Sequence, residues 1–179
     1  MSLEPLVRRA TRHPAALVAF GYLAIRLTDL VGFLVLGGAD DRPFPASLTA
    51  WDGDWYARAA REGWPEALDA PTGDAPAGQT TWAWPPAYPL LARLLVLGDG
   101  RVRIALLAIA LVSGLLAALV LARLLRPHVG AAAGVGVALL WASMPASPTL
   151  VMAYSEGLFC LLAFSAVWAA ARDRHVLAG

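Results

Sequence analysis

Long apolar runs constrain the fold of this chain more than any other feature of its sequence. The run over residues 15–36 is almost wholly apolar, and the segments 104–125, 131–151 and 157–171 have the same character. At a rise of about 1.5 Å per residue, a helix of about 20 residues crosses a hydrocarbon core of about 30 Å. Each run therefore predicts a membrane span, although Pro145 and Pro148 break the third and make its far end irregular, and the fourth is rather short. We expect an all-α, polytopic membrane protein in which residues 1–179 form a single transmembrane domain.

The overall composition favours membrane burial over a large soluble core. Hydrophobic residues make up 59% of the chain and charged residues only 15%, which is more apolar and less charged than ordinary soluble domains. The formal net charge is +1, so no strongly basic field would attract nucleic acid. We therefore expect no nucleic-acid partner. The single cysteine, Cys160, cannot form an internal disulfide and is interpreted as an inert buried thiol.

The first apolar run follows a basic flank and contains one pair of opposite charges. Pro14 suits the first turn of a helix. The run is longer than the roughly 7–15 apolar residues of a cleaved signal peptide, so we interpret it as a signal anchor. Arg26 and Asp29 share a helix face at their spacing and are expected to pair. The pair is interpreted either as a functional group at membrane depth or as a structural ion pair between helices.

Residues 37–103 form one long loop between the first two predicted spans. The prolines between residues 80 and 89 disfavour regular helix. The apolar segment 90–97 is too short to cross a bilayer, so we predict a helix at the membrane interface. Five of the 7 tryptophans lie in this loop. They indicate either an interfacial aromatic belt or a site that stacks on a sugar or contacts lipid.

The arginine distribution predicts the orientation of the chain. All 14 basic residues are arginine, and a cytoplasmic N-terminus would make 1–14, 123–130 and 172–179 the inner segments. These segments carry Arg8, Arg9, Arg12, Arg123, Arg126, Arg172 and Arg174. The long loop holds most of the acidic residues and would be extracytoplasmic, in agreement with the positive-inside rule. Arg101 and Arg103 are exceptions to that rule.

An acidic and aromatic segment in the long loop is the strongest candidate for chemistry. It reads Trp51-Asp52-Gly53-Asp54-Trp55-Tyr56 and begins a run compatible with a helix. Asp52 has two compatible interpretations. It is the N-cap of that helix, which local sequence favours, or it is a general base beside the apolar walls of Trp51 and Trp55. Asp52 and Asp54 also spell D-x-D, but a helix directs residues two apart to different sides, so we expect no metal site.

A second polar group follows the proline-interrupted end of the third predicted span. The sequence there is Tyr154-Ser155-Glu156, and the topology above returns it to the same outer face as Asp52. Local sequence favours Ser155 as an N-cap, with Glu156 in the first turn of the fourth helix. The alternative is that Glu156 belongs to the same outer pocket as Asp52.

Together these segments resemble the PIG-V family, the second mannosyltransferase of GPI-anchor assembly, and its bacterial relatives. The matching order is a first span, the Asp52 segment, Pro85-Pro86-Ala87-Tyr88-Pro89-Leu90-Leu91, Pro145-Ala146-Ser147 and Tyr154-Ser155-Glu156-Gly157-Leu158-Phe159. The family belongs to the GT-C class, so the resemblance implies a GT-C-like helical bundle with a long extracytoplasmic first loop that carries interfacial helices. The matched region is the N-terminal part of that fold, and we expect the chain to be a fragment.

The resemblance implies a glycosyltransferase that moves mannose from polyprenyl-phosphate-mannose to a glycan or glycolipid acceptor, with inversion. It implies Asp52 as the catalytic base. The implied substrate-binding residues are Trp51, Asp54, Trp55, Tyr56, Arg58, Tyr88, Tyr154 and Glu156. Arg58, Arg61 or Arg93 would hold the donor phosphate. No metal or cofactor is implied, because the leaving group is a lipid monophosphate. The expected location is the bacterial plasma membrane, or the endoplasmic reticulum membrane in a eukaryote.

Two alternatives are kept beside this interpretation. The first is a small membrane protein without catalysis, such as a transporter part or an assembly factor, because spans, caps and aromatic belts explain most residues singly. The second is a GT-C enzyme that uses another lipid-linked sugar, such as arabinose or glucose. Replacement of Asp52 and product analysis with several donors would distinguish the three.

Overall fold

The computed structural model describes residues 13–36, 44–68, 70–96 and 101–172. Within these ranges all regular secondary structure is helical, as predicted. The helices are α1 (Pro14–Leu36), α2 (Phe44–Ser47), α3 (Asp52–Glu62), α4 (Ala87–Leu95), α5 (Val102–Ala142) and α6 (Glu156–Ala170), with 3-10 turns at Thr81–Ala83 and Ser147–Val151. Most of the predicted inner segments 1–14 and 172–179 lies outside the described residues.

Two of these helices are long and apolar enough to cross a membrane. They are α1, which begins at Pro14 as predicted, and the 41-residue helix α5. The fourth predicted span corresponds to α6, which is apolar but has only 15 residues. The coarse prediction of an all-helical chain with membrane-spanning helices therefore has support, while the predicted GT-C bundle stays a prediction.

Helix α5 folds back on itself at Gly130. This residue has φ 83° and ψ 168°, a combination that is nearly confined to glycine. Beyond it the two arms of α5 lie in contact, and a Cβ atom added at Gly134 would lie 2.9 Å from the Ala122 carbonyl oxygen. The arms match the predicted spans 104–125 and 131–151, except that helix ends at Ala142. The irregular far end predicted from Pro145 and Pro148 is confirmed, because the residues beyond Ala142 form only turns and a short 3-10 segment.

Small residues let α1 and α6 approach the first arm of α5 closely. A Cβ atom added at Gly157 of α6 would lie 2.7 Å from the Ala110 carbonyl oxygen and 2.9 Å from Ser113 Oγ. On another face of the arm, Gly114 leaves room for the ring of Tyr22. Close approach of helix backbones through small residues is a common way of packing membrane helices, so Gly114 sets the position of α1 and Gly157 that of α6.

The charged pair of α1 takes part in the same packing. The predicted pairing is confirmed, because Arg26 Nη2 lies 3.2 Å from Asp29 Oδ2. Arg26 is only 1% exposed, and its guanidinium donates hydrogen bonds to the carbonyl oxygens of Ala142 and Ser147. The Ala142 carbonyl belongs to the end of α5, where helical partners are lacking. These contacts support the structural interpretation of the pair.

The long loop packs its helices against one end of the bundle. Tyr56, Ala57 and Ala60 of α3 share a buried cluster with Tyr88 of α4 and Leu106 of α5. The helix predicted at 90–97 is present as α4, although it begins earlier, at Ala87, and its place at the membrane interface stays a prediction. This cluster fixes the start of α3 beside the start of α6, which is where the candidate site lies.

Candidate functional site

Asp52 is the first residue of α3 and follows a turn with unusual backbone geometry. Trp51 has φ 55° and ψ −115° and is the only non-glycine residue with positive φ among those described. The Gly53 amide donates to the Ala50 carbonyl at 3.1 Å and closes the turn. Such a conformation costs of order 1–3 kcal/mol in a non-glycine residue and is found most often at functional sites. The strained backbone at Trp51 therefore indicates that this turn is a candidate functional site.

The predicted N-cap role of Asp52 was wrong. Trp51 occupies the cap position, and no side chain caps α3. Asp52 lies one residue further on, inside the first turn, and its side chain is exposed. A carboxylate in the first turn is still favoured by the helix dipole. The side chain is thus accessible to a ligand from outside the helix.

The segment before α6 is held directly against this turn. The Ala153 amide donates to the Leu48 carbonyl at 2.8 Å. A Cβ atom added at Gly53 would lie 3.2 Å from the Ala153 Cβ, so a larger residue at 53 would push the two segments apart. The Tyr154–Glu156 segment and Asp52 therefore lie at the same end of the bundle, as the predicted topology requires, and a shared outer pocket stays a prediction.

The charge of Asp52 raises the pKa of both Tyr154 and Glu156. Burial is the main cause that raises the pKa of Tyr154, and the Asp52 carboxylate raises it further, while a hydrogen bond with the Asp52 backbone lowers it. Glu156 keeps solvent contact. Partial burial nevertheless raises the pKa of its carboxyl group, a hydrogen bond with its own backbone opposes this, and the Asp52 charge adds to the rise. Two carboxyl groups and a phenol therefore share one electrostatic environment.

Two further tyrosines form the buried wall of this cluster. The Tyr56 hydroxyl lies 2.7 Å from Ser155 Oγ, and its ring meets the Tyr88 ring edge-to-face with centroids 4.9 Å apart. The Tyr88 hydroxyl donates to the Leu106 carbonyl at 2.8 Å. Burial raises the pKa of both phenols. Ser155 holds the predicted N-cap position of α6, but its side chain does not cap the helix, because its hydroxyl forms a hydrogen bond with the Tyr56 hydroxyl.

Asp54 differs from Asp52 in its surroundings, because it has an ion-pair partner. Its carboxylate forms a 2.7 Å ion pair with Arg103 of α5, and Arg103 also donates to Thr49 Oγ1 at 2.5 Å. In the sequence Arg103 is recognisable only as an exception to the charge rule, and this role was not predicted. Its position among loop acids was the signal that could have found it. The two acids of the D-x-D pattern thus have different surroundings.

Trp55 and Arg58 are engaged within the loop. The Trp55 ring stacks on Trp84 with centroids 4.7 Å apart, which covers one of its faces. The Arg58 guanidinium lies 5.6 Å from the Trp55 ring centroid and forms a 2.7 Å ion pair with Asp74. Another hydrogen bond from Arg58 goes to the Thr72 carbonyl. Binding of a donor phosphate by Arg58 stays a prediction, and it would require exchange of the Asp74 partner.

The structure thus brings five of the nine predicted site residues together and leaves four at the margin. Asp52, Tyr56, Tyr88, Tyr154 and Glu156 form the cluster, whereas Trp55 and Arg58 have partners in the loop and Asp54 has its partner in α5. Trp51 lies at the edge and is 62% exposed. An exposed carboxylate beside a second carboxyl group and phenol hydroxyls can accept a proton from a bound hydroxyl and orient it. Comparison of the chain with known protein families, with curated proteins and with solved structures gives no match.

Proposed function

We propose that the protein is a polyprenyl-phosphate-sugar-dependent glycosyltransferase, or the N-terminal part of one, with Asp52 as general base. The observation that carries the proposal is the grouping of Asp52 with Glu156 and Tyr154 at the end of an apolar helical bundle. Tyr154 and Glu156 follow Asp52 by 102 and 104 positions, and nothing in the local sequence requires that they meet it. The sequence resemblance to PIG-V mannosyltransferases supports mannose as the sugar.

The proposed reaction is a single displacement. The Asp52 carboxylate takes the proton of an acceptor hydroxyl while that oxygen attacks the anomeric carbon of the sugar. The bond from the anomeric carbon to the phosphate oxygen breaks, and polyprenyl phosphate leaves with the bonding electrons. Attack from the side opposite the phosphate inverts the configuration. The polyprenyl chain would remain in the bilayer beside the apolar helices, and the reacting groups would meet at its outer surface.

Glu156 and the tyrosines would position the acceptor. The pKa of Glu156 is raised by burial and by Asp52, so the group takes up a proton more readily than an ordinary glutamate and can donate a hydrogen bond. Two neighbouring carboxyl groups in different states can divide the roles of acceptor and donor. Asp52 and Glu156 are both open to an incoming hydroxyl, and Tyr56 and Tyr88 close the buried side of the cluster.

A non-catalytic membrane protein is the second candidate. It is favoured by one observation: within the described residues the Asp52 carboxylate has no hydrogen bond or ion pair, whereas a general base is normally held in place. A structural role would also explain the Arg26 contacts and the small-residue packing. The two candidate functions differ in their expected response to loss of the Asp52 charge: a glycosyltransferase loses its transfer activity, whereas a non-catalytic protein has no such activity to lose.

The test is Asp52→Asn in the full chain, reconstituted in lipid vesicles. Polyprenyl-phosphate-mannose is the donor, octyl mannoside is the acceptor probe, and released polyprenyl phosphate is measured. Loss of a general base lowers the rate by about 10²–10⁴-fold. The matched control is Glu62→Gln, an acid at the far end of the same helix, about 15 Å away. An unchanged rate in Asp52→Asn would refute the role of Asp52, and the same assay with glucose and arabinose donors identifies the sugar.

A further inference from the structure

A basic site lies at the opposite end of the bundle from Asp52. Arg123 and Arg126, near the end of the first arm of α5, line a cavity of about 460 Å³ together with His13 and Pro14 at the start of α1. The same two arginines line a second groove with Trp168 and Arg172, at and beyond the end of α6. Arg123 and Arg126 therefore lie between the cavity and the groove, where the start of α1, the end of the first arm of α5 and the end of α6 meet.

The charges of this site are not neutralised by the described part of the protein. Neither opening has an Asp or Glu in its lining. Within the described ranges, neither Arg123 nor Arg126 forms an ion pair. By contrast, Arg26, Arg58 and Arg103 each pair with an aspartate. A site of this kind attracts an anion, and arginine binds phosphate oxygens through paired N–H donors.

The remainder of the cavity suits a lipid better than a free ion. Its floor is apolar and is made by Leu119, Ala122 and Val135. In the neighbouring groove, the Arg172 guanidinium lies 4.3 Å from the centroid of the Trp168 ring, and tryptophan is typical of the membrane interface. Charged groups above an apolar floor match a headgroup with its acyl chains below.

The position along α5 matches the thickness of a bilayer. At about 1.5 Å per residue, the helix from Arg103, which pairs with Asp54, to Arg123 is about 30 Å long. The hydrocarbon core of a bilayer is about 30 Å thick. With the Asp52 cluster at one headgroup layer, Arg123 and Arg126 reach the other.

We propose that the cavity between α1 and the two arms of α5 binds the phosphate headgroup of an anionic membrane lipid through Arg123 and Arg126. The lipid joins the start of α1 to the fold in α5 at Gly130. Its headgroup neutralises the arginines, and its acyl chains cover Leu119 and Val135. This inference is independent of the role of Asp52, because the two sites lie at opposite ends of the helices.

The proposal is tested by lipid binding to the full chain in detergent. Phosphatidylglycerol and phosphatidylcholine are the probes, and bound lipid is counted by native mass spectrometry. An arginine near a membrane surface adds about 1 kcal/mol to the attraction of anionic lipid, so Arg123→Gln or Arg126→Gln weakens phosphatidylglycerol binding roughly fivefold and the double variant roughly 30-fold. Arg126→Lys keeps the charge but loses the paired N–H donors, so its binding falls below that of the unmodified chain and stays above that of Arg126→Gln. Phosphatidylcholine binding is the same in all variants.

The matched control is Arg101→Gln, which removes one exposed arginine at the other end of α5. Binding that falls as much in this control as in Arg126→Gln would mean diffuse attraction and would overturn the site. Equal binding of both lipids by the unmodified chain would also overturn it. Displacement of phosphatidylglycerol by equimolar inorganic phosphate would show that the cavity selects phosphate alone, against the lipid proposal. An unchanged thermal midpoint in the glutamine variants separates loss of binding from loss of fold.

Discussion

Replacement of Gly157 by alanine tests how the helix packing positions the candidate site. The added Cβ atom would lie 2.7 Å from the Ala110 carbonyl oxygen, and ordinary contacts begin at 3.4 Å. The start of α6 must therefore move away from α5 by about 0.7 Å. Overpacking of this kind costs about 1–3 kcal/mol. The shift also moves Ser155, whose hydroxyl is 2.7 Å from the Tyr56 hydroxyl, and loss of that hydrogen bond costs about 0.5–1.5 kcal/mol.

The expected loss of stability for Gly157→Ala is therefore about 2–4 kcal/mol. In a chain of this size, about 2 kcal/mol lowers the thermal midpoint by roughly 4–8 °C. The measurement is thermal unfolding of the full chain in detergent, followed by circular dichroism. If Asp52 acts as proposed, the displaced cluster also lowers the transfer rate at temperatures where the protein is folded.

The control for this experiment is Gly136→Ala in the second arm of α5. A Cβ atom at Gly136 meets nothing within 4 Å, and alanine is the better helix former by about 1 kcal/mol. We expect this variant to be as stable as the unmodified chain or slightly more stable. Equal midpoints for Gly157→Ala and Gly136→Ala would refute the close approach of α6 to α5 and, with it, the reasoning that places Glu156 beside Asp52.

Three further predictions concern pH, the fold in α5 and the buried wall of the cluster. The pKa of Glu156 is raised in the folded state above its ordinary value of 4.5. Its contribution to stability is therefore complete below pH 4.5 and is lost as pH rises through the raised pKa. A pH titration of the thermal midpoint of Glu156→Gln is expected to lack that decline. Gly130→Ala forces a side chain into φ 83° and lowers stability by about 1–3 kcal/mol, whereas a neutral result in thermal unfolding would contradict the geometry of the fold. Tyr88→Phe removes a buried hydrogen bond to the Leu106 carbonyl and lowers the free energy of unfolding by about 1 kcal/mol in denaturant titration, with no loss expected if that bond is absent.

Sequence periodicity and length predicted the helical character of the chain because apolar runs are a local property. Pro14, the start of α1, and the Arg26–Asp29 pair were predicted correctly, since each depends on residues within one helical turn. The irregular end of the third apolar run was predicted from Pro145 and Pro148, but the exact end of the helix, at Ala142, was not. Periodicity alone does not report where a proline-containing stretch leaves the helix.

The candidate site was predictable in its members but not in its internal contacts. Trp51 rather than Asp52 holds the cap position of α3, because the turn geometry at Trp51 is a tertiary effect that no side-chain preference indicates. The partner of Ser155 proved to be Tyr56, far away in sequence. Arg103 was visible only as a charge on the unexpected side, and its pairing with Asp54 depends on how α5 meets α3.

The buried position of Arg26 has a consequence for biogenesis. Its acceptors, the carbonyls of Ala142 and Ser147, follow it by 116 and 121 residues. In a chain inserted from its N-terminus, α1 would enter the lipid with Asp29 as the partner of Arg26, long before those carbonyls are synthesised. An arginine at the centre of a membrane helix is unfavourable by about 2.5–3.5 kcal/mol, and the missing carbonyls leave N–H donors of the guanidinium unsatisfied. The nascent helix α1 would therefore be retained at the translocon until α5 has been made, and α1 and α5 would be released into the bilayer together.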